Sequence, residues 1–149
     1  MRNLFLLLAA IFALAAQPAV AQTDAGDTIG RIKNVTQGGI EVVRDGGKLQ
    51  GTSGFRLREG DIVVTRAGQR AGITFVDNTR MVVAPKSRMI ISSYRFDRKR
   101  RTGESQMTIE RGKVGVDSGE LARSGRMKFK TPTSTLGVRG TTFVIEVDE

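Results

Sequence analysis

The sequence predicts an all-β protein in which many short antiparallel strands form a twisted sandwich, a roll or a solenoid-like arrangement. Glycine is the first indication, because all 18 glycines follow residue 21 and divide the chain into short segments. The second is the alternation of apolar and polar residues, as at Ala71, Ile73 and Phe75. The third is that no segment after residue 21 repeats apolar residues at helical spacing, so almost no helix is expected. The sequence leaves the three arrangements open.

The first 21 residues are expected to be a cleaved secretory signal peptide. Arg2 provides a positive start, residues 4–16 form a 13-residue apolar run, and residues 19–21 (Ala-Val-Ala) provide the small residues of a cleavage site. The run is shorter than the roughly 17 to 25 residues of a membrane-spanning helix. We therefore expect a periplasmic protein that is not integral to a membrane, with a single β domain over residues 22–149.

The composition removes several classes of catalytic and metal-binding site. The chain has no His, Cys or Trp, so it has no imidazole base, no thiol nucleophile, no disulfide and no zinc site built on these residues. Carboxylate pairs such as Asp61 with Glu59, or Asp77 with Asp45, lack a distinguishing spacing. The protein is therefore not expected to be an enzyme, and no metal or cofactor is expected.

The charge of the chain is strongly basic. The net charge is +9, and removing Arg2 with the signal peptide leaves +8. Such a charge either attracts an anionic partner or simply keeps an exported domain soluble. Nucleic acid is not an expected partner, because the protein is exported and has few aromatic side chains for base stacking. Anionic polymers of the cell envelope remain possible partners.

The strands are predicted one by one from alternation and from β-branched residues. They lie at residues 40–43, 62–65, 71–75, 80–84, 89–91, 107–109, 114–116 and 143–147. Residues 45–47 (Asp-Gly-Gly) predict a turn after the first strand, and Asp77-Asn78 predicts a hairpin between the third and fourth. Gly72 and Gly115 lie inside strands and therefore suggest bulges or close backbone approach.

A basic segment, Arg98-Lys99-Arg100-Arg101, is predicted to form a hairpin tip between the strands that contain Tyr94 and Met107. Four successive cations repel one another and demand solvation, which is the simpler interpretation. They are also candidate binding residues, because arginine can contact phosphate through two parallel hydrogen bonds. Both alternatives remain open at this stage.

The segment 130–144 carries the densest set of turn signals. Pro132 fixes its own φ and favours extended geometry at Thr131, so Thr131-Pro132 is expected to end a strand. Gly137 and Gly140 are expected to bracket a tight reversal before the last strand. Arg139 lies between these glycines and is expected to fold back onto the domain. It would either pair with a carboxylate such as Asp61 or Asp77, or contact an anionic or peptide partner.

Gly140-Thr141 also allows a chemical hypothesis. A Thr hydroxyl that follows Gly can attack the preceding carbonyl, which moves the acyl group from nitrogen to oxygen and permits self-cleavage. The reaction needs a strained turn and a nearby base, and the chain has no His. One full-length species by intact mass would end the hypothesis.

Three motifs in this order resemble the FecR family of bacterial periplasmic domains. They are a Gly-Asp strand entry, an Asp-Asn hairpin where the family usually has Asp-Gly, and the closing Thr-Pro to Gly-Thr segment. The resemblance extends over about residues 30–147, and the closing segment is its most specific part. The motif residues are Gly60, Asp61, Asp77, Asn78, Thr131, Pro132, Gly137, Gly140 and Thr141.

The resemblance implies a function in recognition or signalling. In sigma-regulator members of the family, a cytoplasmic anti-sigma segment and a transmembrane helix precede the FecR domain, which receives a signal from an outer-membrane receptor. Here a signal peptide is expected in their place, so the chain is not expected to bind a sigma factor itself. The expected function is a non-catalytic module that binds a protein partner in the periplasm or envelope. The alternative is binding of the cell wall or an anionic glycan.

Overall fold

A computed structural model describes residues 28–36 and 38–148 of the protein. The predicted signal peptide lies outside these residues. The described elements are β1 (Gly30–Val35), β2 (Ile40–Arg44), β3 (Gly47–Gly51), β4 (Arg56–Leu57), β5 (Ile62–Val64), β6 (Ala71–Phe75), β7 (Arg80–Val83), β8 (Arg88–Asp97), β9 (Thr102–Asp117), α1 (Glu120–Arg123), β10 (Met127–Lys130), β11 (Thr135–Val138) and β12 (Thr142–Val147). None of the helices in these ranges is long and apolar enough to cross a membrane.

The twelve described strands form one hydrogen-bonded sheet that curls into a half barrel. Its main path runs β3-β2-β5-β8-β9-β7-β6-β1-β4, while β10 and β12 also pair with β9, and β11 pairs with β10. Strand pairs in the described sheet are antiparallel, except for the parallel pair of β9 and β10. The prediction of an all-β fold with almost no helix is confirmed, and the arrangement is one curled sheet.

The core lies on the inner face of this curled sheet. Alternate residues of the strands point inward, as the fully buried Met107 and Ile109 on β9 and Phe129 on β10 show. The short helix α1 adds the buried side chains of Leu121 and Ala122. Burying these side chains is the main stabilising contribution, and it leaves the outer face to polar and charged groups.

The sixteen-residue strand β9 is the element that joins the two halves of the sheet. Its first part pairs with β8 and β10, and its last part pairs with β7 and β12. The sequence predicted two separate strands at 107–109 and 114–116, which was wrong. Gly112, between them, has a φ of +85° and lets one strand continue from one half to the other.

The two predictions about glycines within strands have different outcomes. A Cβ on Gly72 would lie 2.2 Å from Oδ1 of Asn34, and β1 has a register irregularity between Ile32 and Asn34, opposite Gly72. The close approach predicted there is confirmed. Gly115 instead pairs in regular register with Val82 and Val144, and its nearest contact is 4.0 Å away, so that prediction was wrong.

The predicted turns are confirmed where side-chain chemistry determines them. Asp45 and Gly46, with φ angles of +51° and +78°, join β2 to β3. Asn78, with a φ of +67°, closes the β6–β7 hairpin, so Asn takes the left-handed conformation here as Gly would. The sequence did not predict β1, β3, β4 and β11, whose alternation is short or interrupted by polar residues, nor β10.

Candidate functional site

The predicted basic tip is a four-residue turn between β8 and β9. Asp97 organises it, because Oδ1 accepts hydrogen bonds from the amides of Lys99 and Arg100 at 2.8 and 3.0 Å. The backbone of Arg101 has a φ of +53°. The tip is therefore a turn whose backbone is ordered by Asp97, with the four cationic side chains exposed.

The four cations of the tip do not act as one group. Arg101 donates two hydrogen bonds to the carboxylate of Glu120 on α1, at 2.7 and 2.9 Å. These hydrogen bonds lower the pKa of Glu120 and raise that of Arg101. Arg101 thus fastens the tip to the helix. Such a role leaves Arg98, Lys99 and Arg100 as the tip residues suited to binding.

Arg98 lies at a second group of cations, which we call the basic cleft. The cleft is a surface concavity between the tip and the strands β1 and β4, and its cationic members are Arg31, Lys33, Arg56 and Arg98. All four residues are exposed. Arg31 and Arg56 are directly paired positions of neighbouring strands, so their charges lie side by side. The cleft is suited to an anionic group.

Arg139 does not pair with Asp61, as one of the two alternatives expected. The buried carboxylate of Asp61 accepts two hydrogen bonds from Arg44, at 2.7 and 2.8 Å, and one from the amide of Arg58 at 2.8 Å. Arg44 is also held by the carbonyl of Arg56 and lies over the ring of Phe55. Hydrogen bonding to Asp61 raises the pKa of Arg44. Asp61 therefore has its own cation.

Asp77, the other expected partner of Arg139, is occupied by neutral donors. Its carboxylate is fully buried and accepts hydrogen bonds from the Tyr94 hydroxyl at 2.6 Å, from the amide and hydroxyl of Thr79, and from the amide of Leu121 at 3.2 Å. Burial, with the neighbouring Asp77 charge, raises the pKa of Tyr94 far above its ordinary value. Asp77 thus ties the hairpin β6–β7 to β8 and α1.

Arg139 instead lies beside the residues that precede the start of β10. Its Nε is 3.0 Å from the position that a Cβ on Gly125 would take. Continuing the β10–β11 register, in which Met127 faces Val138, places Arg139 opposite Arg126. Arg139 therefore joins the exposed cations of β10 and the residue before it, namely Arg126, Lys128 and Lys130. We call these four residues the basic ladder.

The last two turns of the closing segment follow the predictions in part. Thr131 ends β10 as expected, and its Oγ1 accepts a hydrogen bond from the amide of Ser134 at 3.1 Å. Gly140, with a φ of +47°, forms the reversal before β12. Gly137 does not bracket that reversal, because it lies inside β11.

A family model described as FecR protein matches residues 61–149. The chain belongs to this family. FecR domains are regulatory and signalling modules and are not known as enzymes. The match begins at Asp61 and includes the tip and the closing segment, while β1 to β4 and Arg44, the ion-pair partner of Asp61, precede it. No curated protein and no solved structure matches the chain.

The Gly140-Thr141 bond of this FecR domain is held by Ser118. The amide of Thr141 donates to Oγ of Ser118 at 2.7 Å, and the Ser118 hydroxyl donates to the carbonyl of Thr141 at 2.8 Å. The Thr141 hydroxyl lies 3.4 Å from the carbonyl oxygen of Thr142. Self-cleavage stays a prediction. Within residues 28–36 and 38–148, no cluster of three or more acidic side chains could hold a metal ion.

Three members of the basic ladder, Arg126, Lys128 and Lys130, were not among the binding residues predicted from the sequence, whereas Arg139 was. Residues 126–130 read Arg-Met-Lys-Phe-Lys, a strict alternation in which Met127 and Phe129 are buried and the cations are exposed. This period of two is the signal that would have predicted both the strand and its charged face. No short sequence signal indicates that β11 pairs only with β10 and that its other edge has no partner among the described strands.

Proposed function

We propose that this protein is an exported, non-catalytic FecR module of the periplasm that recognises a protein partner. The observation that carries the proposal is the free edges of the curled sheet: of the described strands, β11 pairs only with β10, and β12 only with β9. Backbone groups at such edges are open to an added strand from another protein. Membership of a family of signalling domains supports this choice.

The arrangement of the buried acids supports a non-catalytic role. Asp61 and Asp77 are fully buried and saturated with hydrogen bonds inside the fold. A general acid or base must instead reach a substrate. These two carboxylates therefore stabilise the module, and recognition is left to its outer surface.

The test of the proposed function is chemical cross-linking in the periplasm. A tagged protein, carrying its leader, is cross-linked in living cells, isolated, and its partners are identified by mass spectrometry. One protein recovered in near-stoichiometric amount supports the proposal. Recovery of the uncrosslinked protein alone, or product formation by the pure protein with a candidate substrate, contradicts it.

A second candidate function, binding of an anionic envelope polymer, is favoured by the basic cleft. Its four exposed cations surround a concavity of about 370 Å³, and charge attraction at such a surface would draw acidic polymers. Co-sedimentation with purified cell wall tests it. Pelleting that is lost in an Arg31→Glu, Arg56→Glu double variant supports this function, and an unbound protein rules it out.

Export is tested separately, by the mass of the protein isolated from the periplasm. Cleavage after Ala21 predicts a mature chain that starts at Gln22. Recovery of the intact chain from the cytoplasm would contradict export. Two fragments divided at Gly140-Thr141 would establish the self-cleavage that residues 140–141 suggest.

A further inference from the structure

The strand β11 has one edge without a partner among the described strands. Across the turn that joins it to β10, the amide of Thr131 donates to the carbonyl of Ser134 at 2.8 Å. Bonding alternates along an antiparallel pair, so Leu136 and Val138 bond to β10 while the amides and carbonyls of Thr135 and Gly137 face the free edge. The edge therefore offers donors and acceptors to another strand.

The basic ladder lies directly behind this edge. Lys128 faces Gly137 and Lys130 faces Thr135 across the β10–β11 pair, on the outer face of the sheet. All four ladder cations are exposed, and none forms an ion pair with an acidic side chain in the part of the chain that the structure describes. The ladder thus holds a row of positive charge whose nearby acidic side chain is Glu104, which lines the same concavity as Arg126 and Lys128.

The other face of β11 is apolar at the same edge. Leu136 lies opposite Phe129 in the register, and 44% of its surface is exposed. The ring of Phe129 packs edge-on against Phe143 of β12, 5.4 Å between centroids. An exposed leucine beside the buried ring of Phe129 and the half-buried ring of Phe143 leaves apolar surface for a further side chain to cover.

We propose that β11 binds an extended protein segment in which acidic and apolar residues alternate. The segment adds to the sheet as a strand next to β11, with its carboxylates on the outer face towards the basic ladder and its apolar side chains on the inner face against Leu136. This inference rests on the proposed function, because it specifies the protein partner and the edge that receives it.

The spacing of the ladder matches this occupant. Cations at alternate residues of β10 are roughly 6.5 to 7 Å apart, which is also the spacing of alternate side chains on a partner strand. The partner strand would run about 10 Å from β10, two inter-strand distances away. Gly137 lies between them and has no side chain, and nothing lies within 4 Å of the position of its missing Cβ. Lys128 can therefore extend across Gly137 to a carboxylate.

Two features together distinguish this occupant from a simple polyanion. A charged glycan would use the cations but has no amide ladder to pair with Thr135 and Gly137. A neutral strand would use the backbone edge but would leave the charges of the ladder unpaired. Only a segment that alternates acidic with apolar residues uses the edge, the ladder and Leu136 at once.

The test uses a synthetic peptide that alternates Glu with Val and has blocked ends, titrated into the mature protein. A peptide of the same composition with its Glu and Val residues in separate blocks is the control for charge alone. We expect the alternating peptide to bind and the block peptide to bind at least about tenfold more weakly, since only the first presents both faces as a strand. Equal binding of the two peptides, or no binding of either, overturns the proposal.

Three protein variants locate the site. Lys128→Glu should weaken binding roughly tenfold, because it places a like charge opposite the peptide carboxylates. Lys86→Glu makes the same charge change in the turn before β8, where Lys86 is exposed and lies outside both the basic ladder and the basic cleft, and should leave binding nearly unchanged. Gly137→Pro removes the amide at the free edge and should abolish binding. Because Lys128 is exposed, the Lys128→Glu variant should still fold, so it tests the site even if Gly137→Pro does not fold.

The outcomes separate this inference from the proposed function. If the periplasmic partner is cross-linked as well by Lys128→Glu and Gly137→Pro as by the unchanged protein, the β11 assignment fails while the proposed function stands. If no partner is cross-linked although the alternating peptide binds, the proposed function fails, while the ability of the β11 edge to bind such a segment is still established. Equal effects of Lys128→Glu and Lys86→Glu show a general charge effect and overturn the site.

Discussion

The two motif carboxylates, Asp61 and Asp77, are stabilised in different ways. Asp61 is fully buried and is neutralised by Arg44, whose side chain is 21% exposed. Asp77 is equally buried, but its hydrogen bonds come from uncharged groups, which leaves its charge solvated by dipoles alone. The first acid therefore depends on one cation, and the second on several donors held by three elements.

Removing the Arg44 cation should strongly destabilise the fold. Arg44→Met leaves the Asp61 carboxylate buried without its cation, so we expect the free energy of unfolding to fall by about 3 kcal/mol or more. The matched control is Lys48→Met: the Lys48 side chain is 72% exposed, so its pair with Glu41 should matter by about 0.5 kcal/mol or less. Urea unfolding followed by circular dichroism measures both. Similar losses in the two variants would contradict the role given to Asp61.

Alkaline pH should reveal the burial of Tyr94, which is the single tyrosine of the chain. Burial raises its pKa in the folded state, so the folded protein holds this proton more tightly than the unfolded chain does. The resulting stabilisation is fully present below the unfolded pKa of about 10 and is lost as the pH rises above it. Near-ultraviolet absorbance should show phenolate only as circular dichroism reports unfolding. Phenolate in the folded protein near pH 10 would contradict this.

Sequence reasoning identified both acids as motif residues but not what holds them. Each key partner, Arg44 for Asp61 and Tyr94 for Asp77, is 17 residues away along the chain. Pairs at that separation depend on the order of strands in the sheet, which local patterns do not encode. Of the two alternatives given for Arg139, pairing with Asp61 or Asp77 does not occur, because these carboxylates already have partners, while contact with a partner stays a prediction.

At the level of elements, the path of β9 depends on one glycine. Gly112 lies where the pairing of β9 with β8 ends and its pairing with β12 begins. Next to it, the Ser87 hydroxyl oxygen accepts a hydrogen bond from the amide of Lys113 at 2.9 Å. A Cβ on Gly112 would lie 2.2 Å from that Oγ and 2.6 Å from Cα of Ser87. Any side chain at residue 112 would push β9 away from Ser87 in the turn before β8.

Substituting this glycine should cost more than its backbone angle alone explains. Gly112→Ala meets both a positive φ of +85° and the Ser87 backbone, so we expect a loss of at least about 3 kcal/mol in unfolding free energy. Gly46→Ala has a similar φ of +78° but nothing within 4 Å, and should lose about 1 kcal/mol. Thermal and urea unfolding compare them. Equal losses would mean that crowding at Ser87 is not important.

The elements that were predicted correctly are those with local signals. The hairpin of β6 and β7 combines alternation with an Asp-Asn turn, and both parts are visible in consecutive residues. β10, in contrast, was not predicted, although residues 126–130 alternate between cationic and apolar side chains. Its parallel pairing with β9 joins distant segments of the chain, which local patterns do not show. Two predicted strands merged into β9 because Gly112 reads as a break in sequence but acts as a bend in the sheet.

At the scale of the molecule, the curled sheet separates apolar packing from charge. The inner face is closed by aliphatic, methionine and aromatic side chains, while the cations of the basic cleft and of the basic ladder are exposed. The basic cleft and the basic ladder lie at different strands, the cleft beside β1 and β4 and the ladder beside β11. Part of the positive charge seen in the composition thus forms two separate surfaces that the sequence could not distinguish.

Salt should separate the contributions of charge and of strand pairing to binding at β11. Contacts between the basic ladder and carboxylates weaken as ionic strength rises, whereas backbone pairing and the contact with Leu136 are much less sensitive. We expect the affinity for the alternating Glu-Val peptide to fall with added salt but not to vanish. Complete loss of binding at moderate salt would indicate a purely electrostatic contact and contradict strand addition.

Amide hydrogen exchange at the edge of β11, measured by NMR in the free protein and in the complex with the alternating peptide, is the most direct test of recognition at this edge. In the free protein, the amides of Thr135 and Gly137 face no partner strand and should exchange rapidly, while those of Leu136 and Val138 are protected by β10. Peptide binding should slow exchange at Thr135 and Gly137. A saturated complex in which these two amides exchange as fast as before would contradict recognition at this edge.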